Sequence, residues 1–212
     1  MLDCRTGNEG GFVINRRIFL EAAAAATLPV MVRAQPKDRA RPTAGARPGA
    51  VHTCLVDTRY APARTLGARL AATGREVLAI PDGDVTQVWL QHIDPAWRRQ
   101  PVPLAGLTAR PALFCLEQLA RGCGLRVVFH AEHVVHEEGR TEHRVPRGAP
   151  AAAISPSDLA LAGMLWPAHI AEIIATYSSH AARERLGLSE AGLQPTLPAG
   201  AQLLTSWIIA AV

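Results

Sequence analysis

Four of the eight histidines in this 212-residue chain lie in the stretch HAEHVVHEEGRTEHRV, residues 130–145. If Gly139 and Arg140 form a two-residue type II′ hairpin turn, His136 stands opposite His143, with β-carbons about 5 Å apart. Side chains alternate along strands, so several nearby carboxylates would share that face. Imidazole and carboxylate groups suit Zn²⁺ or a similar divalent metal. The predicted ligands are His130, Glu132, His136, Glu138 and His143.

The same hairpin has two other interpretations. It could be a solvated, highly polar hairpin that binds nothing, or its imidazoles could act as a pH sensor. A turn shifted by one residue would separate His136 from His143. The chain contains no HExxH motif, and the histidine spacing matches no zinc motif. The metal site therefore depends on the register of the hairpin.

A second group of candidate residues follows two predicted strands. The strand HTCLVDTR leads to Asp57 and Arg59, and REVLAIPDGD leads to Asp82 and Asp84. Ligands bind outside the carboxyl ends of strands in open α/β sheets, and these aspartates could bind Mg²⁺ or exchange protons. Aspartate is also a favoured turn and N-cap residue, and Gly83 favours a turn here. Both interpretations remain open.

The elements that must position these residues follow from the apolar pattern. Strands are predicted at 52–59, 75–84 and 125–135, and helices at 61–74, 85–93, 108–124 and 166–188. Residues 94–106 are expected to be irregular, with Asp84 and Thr108 capping the helices that follow them. The nearly continuous apolar run at 201–212 predicts a last strand in a central position.

Strands that alternate with helices predict an α/β fold. We expect residues 51–212 to form a single three-layer domain, with a small, mostly parallel sheet flanked by helices plus a β-hairpin. Residues 35–50 carry three prolines and no large apolar side chain, which predicts a flexible Pro/Ala/Arg linker. The net charge of +4 is dispersed, so neither nucleic-acid binding nor a polybasic membrane patch is indicated.

The N-terminal stretch NRRIFLEAAAAATLPVMVRAQP, residues 15–36, has the features of an export signal. Arg16 and Arg17 precede Phe19 and Leu20, a weakly apolar run follows, and Val-Arg-Ala predicts cleavage after Ala34. The apolar run is about a dozen residues long, whereas a membrane-spanning helix needs roughly 20, so no permanent membrane span is expected. The segment resembles the twin-arginine (Tat) secretory signal.

That resemblance implies a bacterial protein at work in the periplasm or outside the cell. Its partners during export would be the Tat translocase and a signal peptidase. Tat substrates cross the membrane folded, often with a cofactor bound, which would be consistent with a metal. We expect a small periplasmic accessory or binding protein of unknown ligand, with an exported redox enzyme as its candidate partner. The alternative is a metal-dependent enzyme that uses the His/Glu hairpin or the Asp cluster.

Overall fold

The structure is a computed structural model that describes residues 49–145, 155–177 and 197–211. These residues belong to one compact unit, Pro42–Val212. The predicted signal and its cleavage site lie outside the described residues. So do residues 35–48 of the predicted linker, residues 178–188 of the predicted last helix, and Val212.

Six strands and six helices make up the described part of the chain. The strands are β1 (Thr53–Asp57), β2 (Glu76–Ile80), β3 (Leu104–Ala109), β4 (Leu125–Val135), β5 (Thr141–Arg144) and β6 (Gln202–Ala211). The helices are α1 (Ala61–Ala72), α2 (Thr86–Val88), α3 (Asp94–Arg99), α4 (Arg110–Gly122), α5 (Pro156–Leu161) and α6 (Trp166–Thr176). A π-helical turn (Trp89–Ile93) joins α2 to α3, and a 3₁₀ turn (Gly163–Leu165) joins α5 to α6.

The strands form one mixed sheet in the order β2-β1-β3-β6-β4-β5. Strand β1 pairs in parallel with β2 and β3, whereas β6 pairs antiparallel with both β3 and β4, and β4 antiparallel with β5. The α/β prediction is confirmed, but the prediction of a mostly parallel sheet is wrong. The last strand inserts between β3 and β4, where both faces of its apolar run are covered. Its predicted central position is confirmed.

The sequence predicted an irregular segment at 94–106, but only residues 100–103 lack regular structure. Helical structure continues from Thr86 to Arg99, and Leu104 begins strand β3. Thr108 lies inside this strand, fully buried, rather than at a helix cap. Its hydroxyl accepts a hydrogen bond from the Trp207 indole at 3.1 Å. The small residues of LAGLTA lack the apolar alternation by which a strand is recognised in a sequence. Gly106 is small because the Trp207 ring packs against it: a β-carbon at this position would lie 2.6 Å from that ring.

Buried side chains form two core clusters that divide the sheet residues by alternation. Cys54 and Val56 belong to the first cluster, with α1 and α6, while Leu55 between them belongs to the second, with α3 and α4. Successive residues of β1 therefore belong alternately to the two clusters. In the described part of the chain, no helix has the length and apolarity needed to cross a bilayer.

Candidate functional site

The strand directions bring the sequence-predicted residues to one edge of the sheet. Strands β1, β2, β3 and β4 all end there, and β6, which runs the other way, begins there. Two rows of paired residues cross β3, β6, β4 and β5 near this edge. One row is Thr108, Thr205, Glu132 and Arg144, and the next is Ala109, Leu204, His133 and His143.

The hairpin register differs from the predicted one. His143 pairs with His133, three residues before His136, and Val135 pairs with Thr141. The loop has three residues instead of two, and the His136 backbone N–H donates to the Arg140 carbonyl at 2.9 Å. Gly139 takes the left-handed conformation at the end of this loop, with φ of 83°. The predicted His136–His143 pair is therefore wrong.

His133 instead forms a buried cluster with His143, Ser206 and Trp166. The Nδ1 atoms of the two histidines are 2.8 Å apart, and His133 Nε2 lies 2.9 Å from the Ser206 hydroxyl. The His133 ring stacks on Trp166 with ring centroids 4.2 Å apart. The sequence analysis did not select His133, although strand alternation with Ala131 and Val135 places it on the core side of β4.

Proton placement in this cluster is coupled. Only one hydrogen fits between the two Nδ1 atoms, so one imidazole donates and the other accepts. If His133 Nδ1 donates, its Nε2 accepts from Ser206; if Nδ1 accepts, Nε2 donates. Burial holds the pKa of His133 well below 6.5, and nearby His143 acts in the same direction. Burial lowers the pKa of His143 to about 4, so the pair is neutral at pH 7.

The hydrogen bond between Ser206 and His133 is of the kind that activates a nucleophilic serine, but the Ser206 hydroxyl is not accessible to a substrate. Ser206 is 0% exposed on β6, which lies between strands β3 and β4. A substrate carbonyl cannot reach its hydroxyl without displacing part of the core. The chemistry that this cluster offers is therefore proton exchange within a packed structure.

The five predicted metal ligands separate in the structure. Glu132 forms an ion pair with Arg110 at 2.5 Å, on the opposite face of the sheet from His133 and His143. His130 shares the face of Glu132, and burial lowers its pKa. His136 Nε2 lies 3.2 Å from Glu142, and Glu138 is exposed in the loop. Within the described ranges, no group of three or more His, Cys, Asp or Glu side chains is placed to hold a metal.

The aspartates after β1 and β2 do meet at one edge, but each has a local partner. Asp57 is 0% exposed and accepts three hydrogen bonds from Arg59, two from the guanidinium at 2.9 and 2.7 Å and one from the backbone N–H at 3.3 Å. Asp82 accepts from the Asp84 backbone N–H at 3.0 Å. The guanidinium of Arg59 lies against Gly83, where a side chain would collide with it. The polar groups at this edge therefore form hydrogen bonds with one another.

Asp84 was predicted to be the N-cap of the helix that follows it, and its side chain does bond to the start of the helical segment. Val85 is the N-cap residue of α2, but the Asp84 carboxylate accepts from the Thr86 backbone N–H at 2.8 Å and from its hydroxyl at 2.6 Å. These bonds lower the pKa of Asp84. The carboxylate thus stabilises the turn that enters the helix.

An exposed apolar surface directly precedes Trp166, the residue that stacks on His133. Leu161, Met164 and Leu165 are 87%, 88% and 61% exposed, and Trp166 follows them directly. Beside Leu161 is a groove of about 660 Å³ between α5 and α6. Its lining residues are Asp158, Leu161, Ala162, His169, Glu172, Ile173 and Thr176. We call the three apolar residues and this groove the α5–α6 surface.

The fold and these sites define a single-sheet, mixed α/β domain with a buried histidine pair and an exposed apolar surface. Comparison with protein-family models, with curated proteins and with solved structures finds no match to this chain. Its function must therefore be inferred from its sequence and from the geometry of the described residues.

Proposed function

We propose that this protein is an exported accessory protein that binds an apolar, positively charged segment of a partner protein at the α5–α6 surface. The carrying observation is the run of exposed Leu161, Met164 and Leu165 beside a groove lined by two carboxylates. The Tat-like N-terminus assigns its work to the periplasm or the cell exterior. An exported redox enzyme is the partner class that best suits this export route.

Solvent exposure of three neighbouring large apolar side chains supports binding. Single exposed apolar residues are common on monomers, whereas contiguous patches mark interaction sites. Full burial of a Leu or Met side chain contributes about 1.5–3 kcal/mol. Because the three side chains are 87%, 88% and 61% exposed, covering them would contribute roughly 4–7 kcal/mol before association costs. That gain suffices for a moderate affinity if the surface is already ordered.

Local structure keeps this surface ordered. A capping box fixes the start of α5: the Asp158 backbone N–H donates to the Ser155 hydroxyl at 3.1 Å, and the Ser155 backbone N–H donates to the Asp158 carboxylate at 3.0 Å. Leu159 and Trp166 are 0% and 2% exposed, which anchors the segment on both sides of the patch. The apolar side chains are thus presented by a fixed turn, at low ordering cost.

The charges of the groove select the partner. Asp158 and Glu172 line it, and hydrogen bonds from Ser155 lower the pKa of Asp158, so its carboxylate is ionised at neutral pH. A segment that offers leucine-like side chains together with Lys or Arg would complement both features. An acidic apolar segment would be repelled.

The test uses synthetic helical peptides and the purified protein. A labelled peptide with an apolar face flanked by lysines should bind by fluorescence anisotropy, and its Lys→Glu counterpart should not. A Leu161→Ser/Met164→Ser variant should lose at least about tenfold in affinity. Leu90→Ser, at a residue 57% exposed elsewhere, is the matched control and should bind normally. Equal binding of both peptides, or no effect of the double substitution, would refute this function.

Self-association is the competing outcome. If a second copy covers this surface, sedimentation should show a dimer that the Leu161→Ser/Met164→Ser variant abolishes.

Export is tested separately, by fractionating a Tat-deficient host and its parent strain. Loss of the protein from the periplasm only in the deficient host, and loss of export in Arg16→Lys/Arg17→Lys, would support the Tat assignment.

The sequence suggested two further features, a three-layer arrangement and a metal-dependent active site, and the structure supports the first better than the second. A three-layer arrangement, with α1 and α6 on one face of the sheet and α3 and α4 on the other, is supported by the two separate core clusters. A metal-dependent enzyme gains no such support, because the five proposed ligands lie on different faces of the hairpin or in its loop.

A further inference from the structure

The buried histidine pair contacts the segment that presents the α5–α6 surface. Trp166 begins α6 and directly follows Leu165, one of the three exposed apolar residues of that surface. The Trp166 indole, 2% exposed, stacks on the His133 ring at 4.2 Å and lies edge-to-face against the His143 ring at 5.3 Å. Helix α5 in turn packs against β5, the strand that carries His143. Both helices of the surface are therefore in contact with the hairpin or its histidines.

In the described part of the chain, no charged group offsets a positive charge on either ring. Strand β6 offers only the uncharged Ser206 hydroxyl. Helix α5 carries Asp158, and α6 carries His169 and Glu172, but all three line the groove and none forms an ion pair with the histidine pair. The neighbours on the same face of β4 and β5 are uncharged: Ala131, Val135, Thr141 and Val145. A proton bound by the pair is therefore a partly buried charge without a counterion, which disfavours it.

The two rings differ in their access to water. His133 is 0% exposed and lies between the Ser206 hydroxyl and the Trp166 ring, whereas His143 is half-buried on the short edge strand β5. A protonated His143 ring is fully hydrated only if it turns away from His133, whose Nδ1 atom is 2.8 Å from its own. That movement removes the hydrogen bond between the rings and the edge contact with Trp166 together. His143 is thus the ring through which acid can open the cluster.

We propose that the histidine pair is an acid-sensitive switch for the α5–α6 surface: proton uptake by His143 separates it from His133 and Trp166, and the surface then loses its fixed form and releases its partner segment. The release rests on the function proposed for that surface. Burial lowers the pKa of His143 to about 4, whereas a solvated histidine titrates near 6.5. The open form binds the proton more tightly, so the ratio of open to closed forms should rise about twentyfold between pH 7 and pH 5.

Amide hydrogen exchange measures the opening without any ligand. Protection of residues 155–166 in the full chain, corrected for intrinsic exchange rates, should fall about tenfold to twentyfold from pH 7 to pH 5. Helix α4, on the other face of the sheet, should keep its protection, which separates local opening from global unfolding. Residues 155–166 should stay protected in His143→Asn, because its amide can donate to His133 from near the Nδ1 position but does not titrate.

Two further variants complete the exchange experiment. His143→Gln is a second form that does not titrate, and circular dichroism would show which of the two variants is better folded. His169→Gln removes the histidine of the groove but leaves the pair intact, so it should open like the parent protein. No loss of protection in the parent, or an equal loss in the parent and the folded His143 variants, would overturn the switch.

Anisotropy titration with the lysine-flanked peptide connects the opening to release. The parent and His169→Gln should both bind the peptide more weakly at pH 5 than at pH 7, whereas His143→Asn should lose much less affinity. The His169→Gln variant matters because a protonated His169 in the groove would itself repel the peptide. No binding at pH 7 would refute the proposed function, while the exchange experiment still decides the switch. Affinity that is unchanged at pH 5 in a protein whose residues 155–166 have opened would overturn the release.

Discussion

The Nδ1 atoms of His133 and His143 face each other at 2.8 Å across the β4–β5 hairpin, one ring fully buried and the other half-buried. A neutral pair holds one hydrogen in this gap. A single added proton can be accommodated if His143 donates and His133 directs its own hydrogen to Ser206. A second proton would force two N–H groups against each other. The hairpin is therefore built for the neutral state of both rings.

Folding stability should fall on acidification because of this pair. Unfolded histidines titrate near pH 6.5, whereas the folded pKa values of His133 and His143 are lower, that of His143 being about 4. The unfolded state thus binds more protons between about pH 6.5 and 4, and stability declines as the pH falls through that window. We expect a contribution from His143 of about 1–2 kcal/mol, after allowance for solvent screening of its half-exposed ring.

Urea denaturation from pH 7.5 to 4 measures this dependence. His143→Gln should give a shallower loss of stability than the parent. His52→Gln, at an exposed histidine, is the control and should follow the parent curve. A His143→Gln variant with an unchanged pH profile would show that the pair does not titrate in this window.

Ser206 should stabilise the fold through His133. In Ser206→Ala, the Nε2 atom of a fully buried ring loses its partner at 2.9 Å, and the unsatisfied group costs about 1–2 kcal/mol. Ser157→Ala, at an exposed residue of α5, should change stability by no more than about 0.5 kcal/mol. The ratio of the two effects, from urea midpoints, separates a buried hydrogen bond from a general effect of removing a hydroxyl.

The sequence predicted most elements but not their pairing. The apolar run of β6 predicted a central strand because such runs need cover on both faces. Strand β3 was missed because Ala105, Gly106 and Thr108 lack the large alternating side chains on which strand prediction depends, and their size is explained by Trp207 from a distant part of the chain. Local pattern carries no information about that contact.

The prediction of the metal site was wrong because the hairpin turn was predicted with the wrong length. A three-residue loop at Glu137–Gly139 instead of a two-residue turn moved the partner of His143 from His136 to His133. The strand alternation itself was correct, so a register error of a few residues exchanged an exposed metal site for a buried histidine pair. Asp57 and Arg59, by contrast, meet as neighbours on the chain, and their position at the strand end followed directly from the sequence.

Thr205 offers a test of the polar row that crosses the sheet. Its hydroxyl is buried and has no hydrogen-bond partner among the described residues, although Thr108 and Glu132 flank it in register. Thr205→Val keeps the β-branched shape and removes the unsatisfied group, so we expect stability to increase by about 1 kcal/mol. Thr205→Ser keeps the hydroxyl but loses a methyl group and should be destabilised. A destabilised Val variant would indicate that the hydroxyl has a bound water.

The Asp57–Arg59 pair should behave as a coupled unit in stability measurements. Arg59→Gln removes the two guanidinium hydrogen bonds to a carboxylate that is 0% exposed and leaves its charge without a cation, while the backbone N–H bond at 3.3 Å remains. Loss of one partner of a fully buried pair costs about 3–5 kcal/mol, and since the Arg59 side chain is 42% exposed we expect about 2 kcal/mol. Asp57→Asn/Arg59→Gln removes the charge as well and should recover at least half of that loss. The Asp57→Asn single variant completes the cycle, and additive effects of the two substitutions would mean that Asp57 is stabilised by groups other than Arg59.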